Sequence, residues 1–159
     1  MPVIYWILII FTSFIVMECI TWCTHKFIMH GFLWNLHEDH HNPRGHRFQK
    51  NDAFFLIFAI PGWLSIMLGL QYQFYWVAAI GMGITLYGAA YFIVHDVIIH
   101  QRFKWFTRTN NTYVRTLRWA HKMHHRHIGK HDGESFGLLF VAKQYWGKVK
   151  RDNLQKQKS

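Results

Sequence analysis

Histidine is the residue type whose spacing in this chain predicts chemistry most directly. The sequence has 159 residues and 13 histidines, and ten of these form the motifs HxxxxH, HxxHH, HxxxxH and HxxHH, so the same two motifs occur twice. The motif histidines are His25 and His30, then His37, His40 and His41, then His95 and His100, and finally His121, His124 and His125. Neutral imidazole is the commonest protein ligand for transition metals. The motifs therefore predict a metal site.

The spacing within each motif indicates which imidazoles can reach one metal from an α-helix. At about 100° per residue, the three histidines of HxxHH lie at about 0°, 300° and 40°, so all three can converge on a metal. The two histidines of HxxxxH lie about 140° apart, which suits a helix that passes between two metals or unwinds after the first ligand. Ten nitrogen donors shared by two metals give five each and leave an open coordination position.

This donor set favours iron. Structural zinc usually closes at four ligands and is often rich in thiolate, whereas imidazole also suits iron, and six-coordinate iron with one open position is a common arrangement for activating oxygen. The donors also differ from the carboxylate-rich set of ferritin-like di-iron bundles. The sequence therefore predicts an all-histidine di-iron centre.

The elements that position these motifs are predicted to lie in a membrane. Residues 2–23, 53–70 and 74–94 form apolar runs whose only charged residue is Glu18. At about 1.5 Å per residue each run can cross a hydrocarbon core of about 30 Å. Pro61 is expected to kink the middle run, which could make it a partial or re-entrant segment. We predict an all-α integral membrane bundle of three or four transmembrane helices.

The basic residues predict how this bundle is oriented. All 18 Lys and Arg lie between residues 26 and 50 or between 102 and 158, and these stretches also hold, or adjoin, the histidine motifs. The positive-inside rule places both stretches in the cytoplasm, which requires an odd number of crossings before the tail. Three crossings with an external N-terminus satisfy this requirement. The histidines then form a cytoplasmic cap. The formal net charge of +10 is explained by the anionic inner leaflet, and no nucleic-acid partner is predicted.

Residues beside the motifs are candidates to orient the ligands. Glu18 lies seven residues before His25, on nearly the same helix face, and is predicted either to accept an imidazole N–H or to be protonated and merely tolerated. Asp96, Asp132 and Glu134 adjoin the motifs and are further candidates. Three histidines outside the motifs are predicted to lie at the surface: His46, His127 and His131.

The strings around the motifs resemble those of a known family. HEDHHNP at 37–43, KND at 50–52 and HKMHHRHIGKHDGESFG at 121–137 are similar to the bacterial β-carotene 3-hydroxylases, a short-chain branch of the fatty acid hydroxylase superfamily. We expect residues 1–147 to form a fatty acid hydroxylase-like membrane domain and residues 148–159 to form a polar, flexible tail. The first apolar run lacks a basic n-region, and no plastid-type transit segment precedes it, so we expect a retained span in a bacterial plasma membrane.

The resemblance implies that all ten motif histidines bind two non-haem irons. It further implies that one oxygen atom of O2 is inserted at carbon 3 of the β-ionone rings of β-carotene, giving β-cryptoxanthin and then zeaxanthin. No flavin or nicotinamide motif is present, so the electrons are expected from a separate protein, and the resemblance implies a ferredoxin and its reductase. Two alternatives stay open: a fatty acyl or sterol hydroxylase or desaturase of the same superfamily, and a divalent-metal transport or storage protein.

A carotenoid is a rigid apolar rod confined to the bilayer, so its enzyme needs a channel between the spans. The third run contains small residues that either allow close helix packing or leave room for such a ligand. They are Gly81, Gly83, Gly88, Ala89 and Ala90. Aromatic candidates to line the channel are Trp63, Trp76, Tyr87, Tyr91 and Phe92.

Overall fold

Helices are the only regular secondary structure in the described part of the chain. This computed structural model describes residues 1–43, 45 and 48–158, with side chains up to Asn153 in the last helix. Six α-helices are present in this part: α1 (Val3–Cys23), α2 (Trp34–His41), α3 (Ala53–Gln71), α4 (Tyr75–Tyr91), α5 (Thr112–Arg126) and α6 (Lys143–Lys158). Two π-helices, Thr24–Phe32 and Phe92–Ile99, continue α1 and α4, and a short 3-10 turn, Lys50–Asp52, leads into α3.

Three helical segments are long and apolar enough to cross a membrane, as the sequence predicts. They are Val3–Phe32, Lys50–Gln71 and Tyr75–Ile99. The described residues contain no fourth segment of this kind. Pro61 does not break the second span, because α3 is one helix of 19 residues. The partial or re-entrant alternative is therefore wrong.

Glycines set how closely the spans pack. α4 lies between α3 and α1, and a Cβ on Gly81 would come within 2.6 Å of the Gly62 carbonyl on α3. A Cβ on Gly83 would come within 2.5 Å of the Ser13 Cβ on α1. Only glycine at these two positions lets the helices approach this closely.

Both HxxxxH motifs occur in π-helical backbone. The His100 N–H donates to the His95 carbonyl at 2.8 Å, and the Leu33 N–H donates to the Ile28 carbonyl at 3.0 Å, each five residues apart. Hydrogen bonds between residues five apart widen the helical turn. Residues at this spacing, including the two histidines of each HxxxxH pair, then lie on the same side of the helix. The predicted separation of about 140° within each pair assumed α-helical geometry and is wrong for this reason. The chain departs from helical geometry at Gly31, after the second histidine of its pair.

The other two motifs lie on α2 and α5, outside the spans. The N-terminus of α5 is capped by the Asn111 side chain, which accepts the Val114 N–H at 3.1 Å. α6 packs on α5, where Trp146 stacks on Tyr113 with ring centroids 5.8 Å apart. α6 passes through the boundary predicted at residue 147, and Val149 beyond it is buried. The division into a domain and a tail stays a prediction.

Candidate metal centre

The fold gathers the motif histidines into two adjacent clusters. In cluster one, the ligand nitrogens of five residues lie within 4.8 Å of one another: His25, His30, His37, His41 and His124. In cluster two the same holds for four residues: His40, His95, His100 and His121. The tenth, His125, adjoins cluster two, because its Nε2 lies 2.8 Å from the Nε2 of His121. The structure thus brings together all ten histidines that the sequence singled out.

Each HxxHH triplet is divided between the two clusters. His37 and His41 belong to cluster one, whereas His40 on the same helix belongs to cluster two. On α5, His124 belongs to cluster one and His121 to cluster two. The prediction that a triplet converges on one metal is therefore wrong. An arc of about 100° on one helix is wide enough to face both clusters when the helix lies between them.

The Nδ1 atoms of six motif histidines lie within hydrogen-bond distance of oxygen acceptors. The pairs are His25 with Phe136 O (3.0 Å), His30 with Lys130 O (3.1 Å), His37 with Asn51 Oδ1 (2.6 Å), His40 with Gln49 Oε1 (2.9 Å), His41 with His127 O (2.9 Å) and His124 with Glu134 O (2.8 Å). A carbonyl oxygen only accepts, so Nδ1 carries the proton in each ring. Each Nε2 is then left with a free lone pair.

In cluster one these lone pairs face each other at close range. The Nε2 of His37 lies 3.2 Å from the Nε2 atoms of both His25 and His41. The Nε2 atoms of His30 and His124 are 3.3 Å apart. Two lone pairs repel at such distances unless a cation lies between them. Nitrogens bound to one ion at about 2.1 Å lie about 3.0 to 3.4 Å apart for angles between about 90° and 109°, so the donors fit a shared metal ion.

In cluster two, buried ring nitrogens without hydrogen-bond partners indicate a cation site. The Nε2 of His40 and the Nδ1 of His95 are buried without a hydrogen-bond partner, and an unsatisfied buried polar atom is unfavourable. The Nε2 atoms of His100 and His121 lie 2.8 Å apart. Arg102 borders this cluster, because it donates to Gln49 Oε1 (2.8 Å) and pairs with Asp96 Oδ1 (3.1 Å).

Burial keeps the cap imidazoles neutral. It lowers the pKa of His37 to about 3 and the pKa of His41 to about 4, and charge repulsion from neighbouring imidazoles adds to the effect. The same two causes lower the pKa of His125 to about 3. A neutral imidazole is the form that binds metal. These histidines are therefore competent ligands at neutral pH.

An apolar cavity of about 560 Å³ lies between α1, α3 and α4 and reaches cluster two. Trp63 and Ile66 line its part within the spans, and His95 and Asp96 line the end at the cluster. Gly88 also lines it, and a Cβ added there would meet no atom within 4 Å. The small residues of α4 thus serve both predicted purposes, since Gly81 and Gly83 allow close packing and Gly88 leaves space.

A family model described as fatty acid hydroxylase matches residues 10–146 of this chain. The chain belongs to the fatty acid hydroxylase family. The resemblance inferred from the histidine motifs is thereby confirmed.

Relatives of this fatty acid hydroxylase occur in bacteria and plants. Over 136 residues it is 41% identical to the beta-carotene hydroxylase of Pantoea ananas, which covers 84% of this chain and 76% of the relative. It is 35% identical to the beta-carotene hydroxylase of a Paracoccus species (84% and 83% covered). It is 34% identical to a chloroplastic beta-carotene 3-hydroxylase of Arabidopsis thaliana (84% and 44% covered). No solved structure matches the chain.

The carboxylates predicted to orient ligands in this hydroxylase have different partners. Among the described residues Glu18 accepts no imidazole N–H; it accepts the Tyr87 hydroxyl at 2.7 Å and backbone N–H groups near residue 139. The alternative in which Glu18 accepts an imidazole N–H is therefore wrong, because seven residues put Glu18 about 10 Å from His25 along the helix. The Asp96 carboxylate lies 3.6 Å from His95 Nδ1. Glu134 contributes its backbone carbonyl, while its carboxylate accepts the Tyr145 hydroxyl at 2.6 Å.

The remaining predicted residues lie outside the clusters. Asp132 is exposed, and within the described residues its carboxylate accepts no hydrogen bond from an imidazole. His131 is exposed as predicted, and His127 is partly exposed but its carbonyl accepts the His41 Nδ1–H. His46 lies outside the described residues. Of the aromatic candidates, Trp63, Tyr87, Tyr91 and Phe92 line the cavity, whereas Trp76 is exposed elsewhere.

Sequence reasoning missed most of the groups that orient the imidazoles. Gln49 and Asn51 accept hydrogen bonds from His40 and His37, and the string KND that contains Asn51 was the only signal for them. The other acceptors are backbone carbonyls between residues 127 and 136. A carbonyl is common to every residue, so no residue type marks this role.

Proposed function

We propose that this fatty acid hydroxylase is a non-haem di-iron monooxygenase that hydroxylates carbon 3 of the β-ionone rings of β-carotene. The products would be β-cryptoxanthin and zeaxanthin. One observation carries the proposal: an apolar cavity between the spans ends at His95 of cluster two. The substrate class is supported by the relatives, which bear the name beta-carotene hydroxylase in both bacteria and plants.

The two clusters would each hold one iron. Bound iron supplies the activation of O2 that insertion into an unactivated C–H bond requires. The chain contributes the geometry, since hydrogen bonds at Nδ1 fix the ring orientation and leave Nε2 for the metal. The ring of Tyr91 stacks on His95 with centroids 4.7 Å apart and holds this imidazole at the end of the cavity.

The cavity would bind the ring end of the carotenoid and exclude water. Its volume of about 560 Å³ falls within the range of about 300 to 1,000 Å³ that is usual for small-molecule pockets. Phe54, Phe58 and Ile84 present apolar surface, whereas the polar residues Asn51 and Asp96 lie at the cluster end. An apolar ring that enters from the bilayer is therefore brought to the metal-binding end.

The distribution of basic residues supports a proposal for the membrane orientation and for the electron donor. We place the histidine cap on the cytoplasmic side of a bacterial plasma membrane, because the basic residues flank the cap and the turn between α3 and α4 has none. The reductant would be a separate carrier, a ferredoxin with its reductase. The formal net charge of +10 suits the docking of an acidic partner.

The decisive experiment is expression in cells that accumulate β-carotene. We expect zeaxanthin to form with the unaltered chain, and no hydroxylated product with His124→Ala, because cluster one loses a donor that is fully buried. The matched control is His131→Ala, an exposed histidine outside both clusters, which should retain wild-type product yield. An unchanged pigment profile with well-expressed wild-type protein would overturn the carotenoid assignment. Equal yields from the two variants would overturn the role of the clusters.

A further inference from the structure

Glu18 is a carboxylate buried in the first span, and the structure directs it towards the segment between α5 and α6. Its Oε1 accepts three backbone N–H groups, those of Leu138 (3.0 Å), Leu139 (2.8 Å) and Phe140 (3.2 Å). Its Oε2 accepts the Tyr87 hydroxyl at 2.7 Å. A carboxylate inside an apolar span is unfavourable unless its oxygens are hydrogen-bonded. These four bonds make Glu18 an anchor for the segment.

The anchored segment supplies most of the acceptors of cluster one. The carbonyl oxygens of residues 127, 130, 134 and 136 accept the Nδ1–H groups of four cluster-one histidines: His41, His30, His124 and His25. Only His37 finds its acceptor elsewhere, on Asn51. For cluster two, the acceptor of His40 is Gln49, which lies outside this segment. The segment therefore orients cluster one selectively.

The end of the segment wraps closely around the carboxylate. A Cβ on Gly137 would lie 2.8 Å from the Phe140 carbonyl oxygen and 3.5 Å from Glu18 Oε1. Leu138, next to it, is buried against Met17 and Tyr87. Between α5 and α6 the backbone has no regular secondary structure of its own to hold it. The contact with Glu18 thus substitutes for the hydrogen bonds that a helix or strand would provide.

We propose that Glu18 is a positioning residue for the metal ion of cluster one. Its carboxylate ties the segment 127–140 to α1, the helix that leads into His25 and His30, so that the carbonyls and the imidazoles they orient are held by one element. This inference rests on the proposed function, because it requires that cluster one binds a metal. It assigns no contact between Glu18 and the metal or the substrate.

Three variants of the full chain test this role: E18L, E18Q and Y87F. E18L removes the acceptor oxygens, whereas the amide oxygen of E18Q can still accept the three backbone N–H groups, and its NH2 can donate to the Tyr87 oxygen. Y87F removes the hydrogen bond to Oε2 but leaves the three at Oε1. Each protein is purified in detergent, loaded with Fe(II), and measured for iron per chain and for amide exchange at residues 138–140.

We expect about two irons per chain in the wild type, one per cluster, and the loss of one in E18L together with faster exchange at residues 138–140. E18Q and Y87F should keep both irons. Two further variants locate the loss: E18L with His25→Ala should still hold one iron, since both changes act on cluster one. E18L with His95→Ala should hold none, since both clusters are then affected.

The outcomes separate this inference from the proposed function. A wild-type chain that binds no iron would overturn the proposed function itself. A wild type with two irons and a folded E18L that also keeps two would overturn only the role of Glu18. The same holds if E18Q loses its iron as E18L does, or if E18L with His95→Ala still keeps one. Helical content by circular dichroism identifies variants that are folded.

Discussion

At the scale of single residues, the two nitrogens of each cluster-one imidazole have different roles. Nδ1–H is taken by a carbonyl or amide oxygen, for example Phe136 O for His25, and Nε2 faces its neighbours at 3.2 to 3.3 Å. The hydrogen bond fixes the tautomer and the ring plane. It also raises the basicity of the nitrogen that faces the metal, which makes it a better metal ligand. A histidine with a free Nδ1 would have to be ordered by the metal alone.

Gly88 is a position where cavity volume can be reduced without an immediate clash of the new Cβ. A Cβ there meets no atom within 4 Å, and the residue lines the cavity. We expect Gly88→Leu to lower the rate of zeaxanthin formation about tenfold or more, which corresponds to about 1.4 kcal/mol, because the side chain fills substrate space. Gly88→Ala should have a smaller effect. Rates measured in membranes with β-carotene check this.

The matched control for Gly88 is Leu86→Phe, which adds bulk on the same helix at a position that is 53% exposed and does not line the cavity. It should hydroxylate β-carotene at the wild-type rate. An equally active Gly88→Leu variant would show that the substrate does not occupy this cavity.

At the scale of elements, the two π-helices explain how a spacing of five residues serves one cluster. In an α-helix His95 and His100 would diverge, yet here their ring centroids are 4.5 Å apart. The His100 N–H donates to the His95 carbonyl itself, so the hydrogen bond that defines the π turn joins the two cluster residues. π-helical turns are rare and are found frequently at functional sites.

Inserting one alanine between Ile98 and Ile99 should prevent His95 and His100 from contributing to the same cluster. The spacing becomes six residues, and neither π-helical nor α-helical geometry then places both imidazoles in cluster two. We expect the iron content to fall by one per chain and hydroxylation to be lost, while cluster one keeps its iron. Elemental analysis of the purified, Fe(II)-loaded protein measures this.

The control for the insertion is one alanine placed after Tyr72, in the exposed turn between α3 and α4. This variant should keep both irons, since the turn touches neither cluster. A full iron content after the insertion at Ile98 would mean that the π-helix is dispensable for the pair.

At the scale of the whole molecule, the histidine motifs depend on three spans that end at one face. Few side chains of each apolar span are buried, and the rest are exposed or partly exposed, which suits helices that lie in lipid. The cap formed by α2, α5 and α6 covers that face and carries basic residues. Under the proposed function, an apolar substrate would arrive from the bilayer and electrons would arrive from a carrier in water.

The orientation of the whole molecule can be tested by thiol labelling. In a chain with Cys19 and Cys23 replaced by serine, a membrane-impermeant thiol reagent should label Tyr72→Cys in intact cells, because the α3–α4 turn is predicted to be external. Lys122→Cys on α5, which is also exposed, should be labelled only after the cells are lysed. The reverse pattern would place the histidine cap outside the cytoplasm.

The sequence by itself determined which residues meet and roughly where. Hydropathy is read from consecutive residues, so the three apolar runs were predicted within three residues of the bounds of α1, α3 and α4. Imidazole is distinctive enough to mark all ten cluster residues, such as His25 and His124. The same local information cannot place residues that are distant in sequence. The partial or re-entrant segment considered for the run with Pro61 was therefore wrong, as was the separation expected within the HxxxxH pairs.

Only the tertiary structure decided which histidine belongs to which of the two clusters. His40 faces cluster two and His41 faces cluster one because α2 lies between the clusters, and that depends on how α2 packs, not on its motif. The acceptors for Nδ1 are mostly backbone carbonyls, which are chemically identical in every residue. The backbone partners of Glu18 lie about 120 residues away. Hydrogen bonds to such groups form only when the complete chain brings the segment after α5 back against α1.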